Sequence, residues 1–227
     1  MNFAISLLLA ATALAQVARD ANQRYQTPEG RSGIAANLGG HDREARQKPR
    51  ELMALLHLAK GGTVCDVGTG VGFLLPYLHQ QVGAAGRVIA QDIFPDFLAQ
   101  AQARAAEHKL TNVTFIQGTE RDPKLPVKTC DVVLVLDAYH HFDYPGEMLS
   151  AIGKSLTPQG RLVLVDYYKR PGAMGATTDA VRHIRLDRDD VVREVQSYGF
   201  RAGDRGEHLP KSQYFVVFTP VPHGKVK

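Results

Sequence analysis

Short apolar runs alternate with segments whose apolar positions recur at helical spacing along most of the chain. Leu52, Leu55 and Leu56 recur in this way within residues 46–57, and Lys60-Gly61-Gly62 is expected to end that helix. The later pattern predicts strands at residues 64–67, 87–92, 113–117, 130–137, 161–166, 200–207 and 214–219. Between them it predicts helices at residues 95–108, 145–156 and 187–198.

The strands at 132–136 and 162–165 are apolar along their whole length, which is typical of parallel strands covered on both faces. The last two strands are joined by a loop too short for a crossover helix, so they are expected to run antiparallel. The pattern therefore predicts one α/β domain with a Rossmann-like, doubly wound seven-stranded sheet and a C-terminal antiparallel hairpin. A ligand crevice is expected at the carboxyl ends of the parallel strands.

A glycine-rich turn follows the first strand in the segment Val64-Cys65-Asp66-Val67-Gly68-Thr69-Gly70-Val71-Gly72. The first two glycines allow a tight turn, and the third allows the next helix to approach the strand closely. The dinucleotide pattern G-x-G-x-x-G would need glycine at position 73, where the chain has Phe73. A NAD-dependent oxidoreductase is therefore disfavoured.

With Asp66 before this turn and Asp92 closing the next strand, the chain resembles the class I methyltransferases that use S-adenosyl-L-methionine (SAM). The resemblance extends over most of the chain after about residue 48. It implies that Asp92 binds the ribose hydroxyls, that Asp66 faces the amino-acid part of SAM, and that backbone amides of the turn bind its carboxylate. The cofactor-binding residues it implies are Asp66, Gly68, Thr69, Gly70, Gly72, Asp92, Ile93, Glu120 and Asp137.

The loop at residues 117–126 resembles the adenine-binding loop of that family. Thr119 stands where the family often has Asp, so the adenine contact falls to the Thr119 hydroxyl, Glu120 or Asp122. An ordinary polar surface loop is the alternative interpretation.

The segment Asp137-Ala138-Tyr139-His140-His141-Phe142 corresponds to the family's motif IV, which lies between the sulfonium and the acceptor. His140, His141 and Asp137 are the predicted catalytic residues, because histidine titrates near neutral pH and suits proton removal from an acceptor. Packed or helix-capping histidines are the alternative. The Asn/Asp-Pro-Pro-Tyr/Phe motif of many amino-group methyltransferases is absent, which disfavours adenine or glutamine amides as acceptors.

No metal site is predicted. Asp137 and Asp166 match two acidic ligands of catechol-type O-methyltransferases, but Tyr167 occupies the place of their third ligand, an Asn. His140, His141 and His183 are too dispersed in sequence to indicate a transition metal. Cys65 and Cys130 are expected to be free buried thiols, because their strand positions place them too far apart for a bridge, whose Cα atoms must lie within about 7 Å.

The first fifteen residues carry no charged side chain and end in Ala13-Leu14-Ala15, a pattern typical of a secretory signal peptide. An ordinary first helix or a wrongly assigned start is the alternative. The predicted organisation is a signal peptide at 1–15, a lid or solvated tail at 16–48, a methyltransferase domain at 49–220 and a short tail at 221–227. The run is shorter than the roughly 20 residues that span a bilayer, so no stable membrane span is expected.

The net charge of +4 arises from Lys and Arg scattered among Asp and Glu, which does not indicate nucleic-acid binding. The leading hypothesis is a SAM-dependent methyltransferase with a small-molecule acceptor, located in the periplasm or secreted if the signal peptide is cleaved, and cytoplasmic if it is not. SAM is made in the cytosol, so export and methyl transfer conflict. The alternative is an exported, non-catalytic ligand-binding or interaction module on the same scaffold.

Overall fold

A computed structural model describes residues 16–221. The strands are β1 (Thr63–Val67), β2 (Arg87–Asp92), β3 (Val113–Gln117), β4 (Cys130–Leu136), β5 (Leu156–Tyr167), β6 (Phe200–Leu209) and β7 (Gln213–Pro220). The helices are α1 (Pro28–Leu38), α2 (Arg43–Gln47), α3 (Pro49–Leu56), α4 (Leu75–Val82), α5 (Pro95–Glu107), α6 (Pro145–Ser155), α7 (Ala180–His183) and α8 (Arg188–Ser197). Short 3-10 helices occur at Gln23–Gln26 and Tyr139–His141.

The seven strands form one sheet in the order β3-β2-β1-β4-β5-β7-β6. Neighbouring strands from β3 to β5 are parallel, whereas β7 runs antiparallel to both β5 and β6. The predicted α/β fold class is confirmed, including the C-terminal hairpin. The strand order reverses between β1 and β4, so a crevice opens beyond their carboxyl ends.

Alternate residues of the central strands face two apolar layers. In β4, Val133 and Val135 pack on one side of the sheet, and Val132 and Leu134 pack on the other. Helices cover both layers, which explains why this strand is apolar throughout. The predicted helix at 46–57 is divided into α2 and α3 at Lys48, which has a left-handed backbone with φ of 48°. Pro49 follows it, and a residue before proline is disfavoured in the right-handed helical region.

The two cysteines form a disulfide, so the prediction of free thiols is wrong. Cys65 lies opposite Val133, and in a regular strand Cys130 would face the opposite layer with Val132. The pairing of β4 with β5 is irregular between Cys130 and Val132, and Cys130 faces the same layer as Cys65. The two Cα atoms lie 5.9 Å apart, within reach of a disulfide.

The N-terminal segment packs against the loop after β4. The Val17 amide donates to the Asp143 carbonyl, the Ala18 amide donates to the Asp143 carboxylate, and Asn22 donates to the His141 carbonyl. The predicted signal peptide and all but the first residue of the C-terminal tail lie outside the described residues. Among the helices of residues 16–221, none is long and apolar enough to cross a membrane.

Candidate functional site

The turn after β1 depends on glycine at two positions. Gly68 has φ of +77°, and a Cβ atom there would lie 2.7 Å from the Ala138 Cβ. Gly70 has φ of +56°, and a Cβ atom would lie 3.0 Å from Leu38 of α1. Any larger residue would be strained in backbone conformation and would push against the loop after β4 or against α1. The turn after β1, the loop after β4 and α1 therefore pack together at the carboxyl ends of the strands.

The amides of this turn are already used within the protein. Those of Gly68 and Thr69 donate to the Gln91 carbonyl, that of Gly70 donates to the Asp92 carboxylate, and that of Gly72 donates to the Thr69 carbonyl. These four amides are therefore not the expected donors to a cofactor carboxylate. They instead fix the turn against the end of β2.

Asp66 and Gly72 lie behind the cavity wall rather than in it. The Asp66 carboxylate is buried and accepts a 2.7 Å hydrogen bond from the Thr69 hydroxyl, and burial raises its pKa to about 6. A Cβ atom on Gly72 would lie 3.0 Å from the Ala101 backbone and closer still to Leu75, so this glycine permits helix packing. Both residues support the turn without lining the cavity.

Asp92 presents its carboxylate at the end of β2. One oxygen accepts the Gly70 amide at 2.9 Å, and the other accepts the Phe94 amide at 3.0 Å. Burial raises the pKa of Asp92 to about 6, while these backbone donors oppose the increase. Each carboxylate oxygen keeps acceptor capacity, so Asp92 can accept two further hydrogen bonds from a diol.

A largely apolar cavity opens over the turn. The predicted residues that line it are Gly68, Thr69, Gly70, Asp92, Ile93, Glu120 and Asp137, together with Thr119 and His141. Asp122 does not line it. The sequence did not single out the other lining residues, which include Asn22, Tyr25, Arg43, Phe94, Phe97 and Met148. Asn22, Tyr25 and Arg43 belong to residues 16–48, for which the sequence predicts a lid or a solvated tail.

Asp137 lies where this cavity meets a second one. Its backbone has φ of +52°, a conformation that Asp tolerates better than most residues. Its carboxylate accepts a 2.6 Å hydrogen bond from the Gln213 amide and lies 3.7 Å from the Arg43 guanidinium. Burial raises the pKa of Asp137 to about 7, and Arg43 opposes the increase. Neither Gln213 nor Arg43 carries a recognisable sequence signal.

The predicted histidines follow Asp137 in the 3-10 helix at Tyr139–His141. His140 is buried, and its Nδ1 lies 2.7 Å from an oxygen of Asp166. His141 lines both cavities, and its Nδ1 lies 2.8 Å from the Asn22 side-chain oxygen. Burial holds the pKa of both imidazoles well below the usual value, so both are neutral at neutral pH. Burial raises the pKa of Asp166 to about 7.

The second cavity has a volume of about 660 Å³ and is more polar than the first. His183 of α7 joins the two predicted histidines in its wall. The ring centres of His140 and His183 are 5.1 Å apart, and those of His141 and His183 are 5.4 Å apart. The three histidines are therefore close together in space although they are dispersed in the sequence. Their sequence separation does not show that the loop after β5 returns to the end of β4.

The chain matches known methyltransferases in sequence and in fold. Residues 58–204 match the family model described as "Methyltransferase domain". An arsenite methyltransferase of Halobacterium salinarum is 31% identical over 146 residues, covering 63% of this chain and 33% of that protein. Nocamycin O-methyltransferase of Saccharothrix syringae is 28% identical over 145 residues, covering 60% and 52%. The matches thus span a third to about half the length of these two relatives.

A crystal structure of a SAM-dependent methyltransferase from Aquifex aeolicus superposes with a TM-score of 0.76 at 26% identity. The match covers 83% of this chain and 98% of that one. The family model covers well over half of the present chain, and the cofactor that it and this structural neighbour imply is SAM. The chain belongs to the family of SAM-dependent methyltransferase domains.

Proposed function

We propose that this protein transfers a methyl group from SAM to a small-molecule acceptor bound in the second cavity. The observation that carries the proposal is the junction of the two cavities. Asp137 and His141 line both, so a reactive group at the inner end of the cofactor cavity would face a ligand in the histidine-lined one. Holding both reactants at such a junction is the main requirement of an in-line displacement.

The residues of the first cavity fit SAM. Asp92 has two acceptor oxygens for a ribose diol, and Phe94, Phe97 and Met148 offer an apolar wall to adenine. The Arg43 Nε is buried without a hydrogen-bond partner, and its guanidinium lines the same cavity. A carboxylate is the ligand group that satisfies such a donor. Arg43 thereby offers a charged donor in place of the four turn amides that bond within the protein.

Bound SAM supplies an electrophilic methyl group on a sulfonium sulfur. With its pKa raised to about 7, Asp137 is ionised above that pH and then places negative charge at the junction, where it attracts a cation. His140 and His141 offer neutral imidazoles to the acceptor, and a neutral imidazole nitrogen can accept a hydrogen bond or a proton from it. Asp166 holds His140 through Nδ1, which leaves Nε2 as the nitrogen for the acceptor.

The acceptor is proposed to be a small molecule that carries an O–H, S–H or N–H group. A cavity of about 660 Å³ matches the size of small-molecule sites. Its charged lining residues carry both signs, which suits a polar acceptor; they are Asp20, Arg24, Arg43, Asp137, Asp179 and Arg182. The names of the relatives indicate arsenic in one case and oxygen in the other, so they do not select one acceptor atom.

Calorimetric titration of the chain from Gln16 onward tests the proposal. We expect SAM and S-adenosylhomocysteine to bind with one site per chain, and we expect no binding of NAD, the control. Production of S-adenosylhomocysteine with a panel of phenols, thiols and amines then identifies the acceptor. If SAM, S-adenosylhomocysteine and NAD all fail to bind, the non-catalytic module replaces the methyltransferase as the better hypothesis.

We also propose that the protein functions in an oxidising compartment, the periplasm or the exterior, where methyl transfer requires a supply of SAM from outside that compartment. The buried Cys65–Cys130 disulfide supports this proposal, because disulfides persist in such compartments and are rare in the cytosol. The apolar residues 1–15 are the proposed export signal. Cell fractionation and N-terminal sequencing test it, with Gln16 expected as the first residue of the exported form. A cytosolic protein that retains Met1 would contradict it.

A further inference from the structure

We propose that His140, His141 and His183 form a binding site for a divalent transition-metal ion of the zinc type, with one coordination position open to the second cavity. Each imidazole offers one nitrogen, and the three nitrogens all lie within 4.8 Å of one another. Two of the residues come from the loop after β4, and the third comes from α7. All three line the same cavity.

Hydrogen bonds orient two of the imidazoles as metal ligands. The Asn22 amide nitrogen donates to the carbonyl of His141 and to Asp143, so the Asn22 oxygen faces His141 and must accept from its Nδ1–H. The ionised Asp166 carboxylate can only accept, so it takes the Nδ1–H of His140, which lies 2.7 Å away. In both residues the lone pair therefore lies on Nε2. In His141 the Tyr25 hydroxyl lies 3.4 Å from that nitrogen and has to turn away when a metal ion binds. A carboxylate or amide oxygen behind each ligating imidazole is the usual arrangement around a protein-bound metal.

Only a small movement would complete the site. Zn–N bonds of about 2.0–2.1 Å place the nitrogens of a tetrahedral site about 3.4 Å apart. The three histidine nitrogens lie within 4.8 Å of one another, so they have to approach slightly to bind one ion. His183 is half-buried on a four-residue helix, and its ring makes no hydrogen bond to any residue in 16–221. It is thus the ligand that can move, while His140 and His141 stay fixed.

The ligand set selects the class of ion. Imidazole nitrogen suits zinc, copper, iron and nickel, whereas Mg²⁺ and Ca²⁺ require oxygen ligands. Three protein ligands with an open position are typical of a catalytic zinc site rather than a structural one. An acceptor oxygen or sulfur would fill that position beside the junction. This last step rests on the proposed methyl transfer, whereas metal binding itself does not.

A titration with Co²⁺ tests the site directly. The chain from Gln16 onward, without a histidine tag and stripped with a chelator, is titrated with Co²⁺ while its visible absorption is followed. Calorimetry with Zn²⁺ measures the affinity independently. We expect one ion per chain, with the intense visible bands of a low-symmetry nitrogen-bound site. His183→Ala and His183→Gln should each lower the affinity at least tenfold.

His108→Ala is the matched control, because His108 is an exposed histidine at the end of α5 and should not affect binding. Absence of a saturable Co²⁺ spectrum in the unsubstituted chain would overturn the proposal. Equal affinity in both His183 variants and the unsubstituted chain would overturn it too. A parallel SAM titration separates the two proposals: SAM binding without Co²⁺ binding removes only the metal site, and Co²⁺ binding without SAM binding removes only methyl transfer.

Discussion

The two cavities that meet at Asp137 are built in different ways. Most of the cofactor cavity comes from loops that directly follow β1, β2, β3 and β4, and its wall is mainly apolar. The histidine cavity comes from residues 20–43, 137–141 and 167–183, which are far apart in sequence, and its wall is mainly polar. Local turn chemistry therefore determines the first cavity, and the packing of distant segments determines the second.

This difference separates cofactor binding from the choice of substrate. A glycine turn and a carboxylate at a strand end need only two neighbouring parallel strands, so many chains can build them. A pocket made by loops on a rigid sheet can change its lining without changing the sheet. We therefore expect substitutions in the two cavities to have separable effects on cofactor affinity and turnover.

The largest separable effect is expected for His140→Gln. His140 lines only the histidine cavity, so turnover should fall by about 10²–10⁴-fold while SAM affinity stays unchanged. Production of S-adenosylhomocysteine and calorimetry measure the two quantities, with His108→Gln as the control. His141→Gln should also lower turnover. Normal turnover in both single variants and in the double variant would remove the catalytic role of this cavity.

Removal of the disulfide tests what holds the two cavities together. The bond links β1, which leads into the glycine turn, to β4, which leads into the loop that carries His140 and His141. The bond closes a segment with a sequence separation of 65 residues. Cys65→Ala combined with Cys130→Ala should lower the free energy of unfolding by about 2–4 kcal/mol. Urea denaturation of the variant and of the oxidised protein measures this. Equal midpoints would show that the bond contributes no stability.

Asp92→Asn is expected to weaken cofactor binding alone. The substitution removes a charge that strengthens hydrogen bonds to the ribose, each worth about 1.5–3 kcal/mol, so SAM affinity should fall by ~10–100-fold. Co²⁺ affinity should not change, because Asp92 does not line the histidine cavity. Asp189→Asn, on the exposed start of α8, is the control. Unchanged SAM affinity would exclude Asp92 from cofactor binding.

The smallest expected effect is a pH dependence of SAM affinity. The pKa of Asp92 is raised to about 6 by burial, with Asp96 adding to the increase, so the carboxylate is charged above pH 6 and is protonated below it. Affinity should therefore fall by about tenfold between pH 7.5 and pH 5. The same raised pKa makes the folded state more stable as pH falls through this range. In the Asp92→Asn variant, SAM affinity should change less with pH. If affinity depends on pH as strongly as in the unsubstituted chain, another group causes the dependence.

The cofactor side of the molecule was largely predictable. Gly68, Gly70 and Asp92 can be identified from the sequence, because a tight turn and a carboxylate at the end of a strand leave local signals. Arg43 and Gln213 left no such signal, since Arg43 reaches Asp137 only after α2 has packed and Gln213 only after β7 has paired with β5. The resemblance implies that Asp66 faces the amino-acid part of SAM, but its side chain instead accepts from Thr69 behind the wall.

Sequence alone determined the seven strands, the helices α3, α5, α6 and α8, the sheet class, the glycine turn and the family resemblance, because each depends on residues close together in the chain. It did not predict α1 or α7, and it set no bounds for α4. Only the tertiary structure decided the disulfide and the histidine cluster. The pairing of β4 with β5 is irregular where Cys130 faces Cys65, and the return of the loop after β5 brings His183 to His140. Both contacts depend on the register and path of distant segments, which spacing along the chain does not specify.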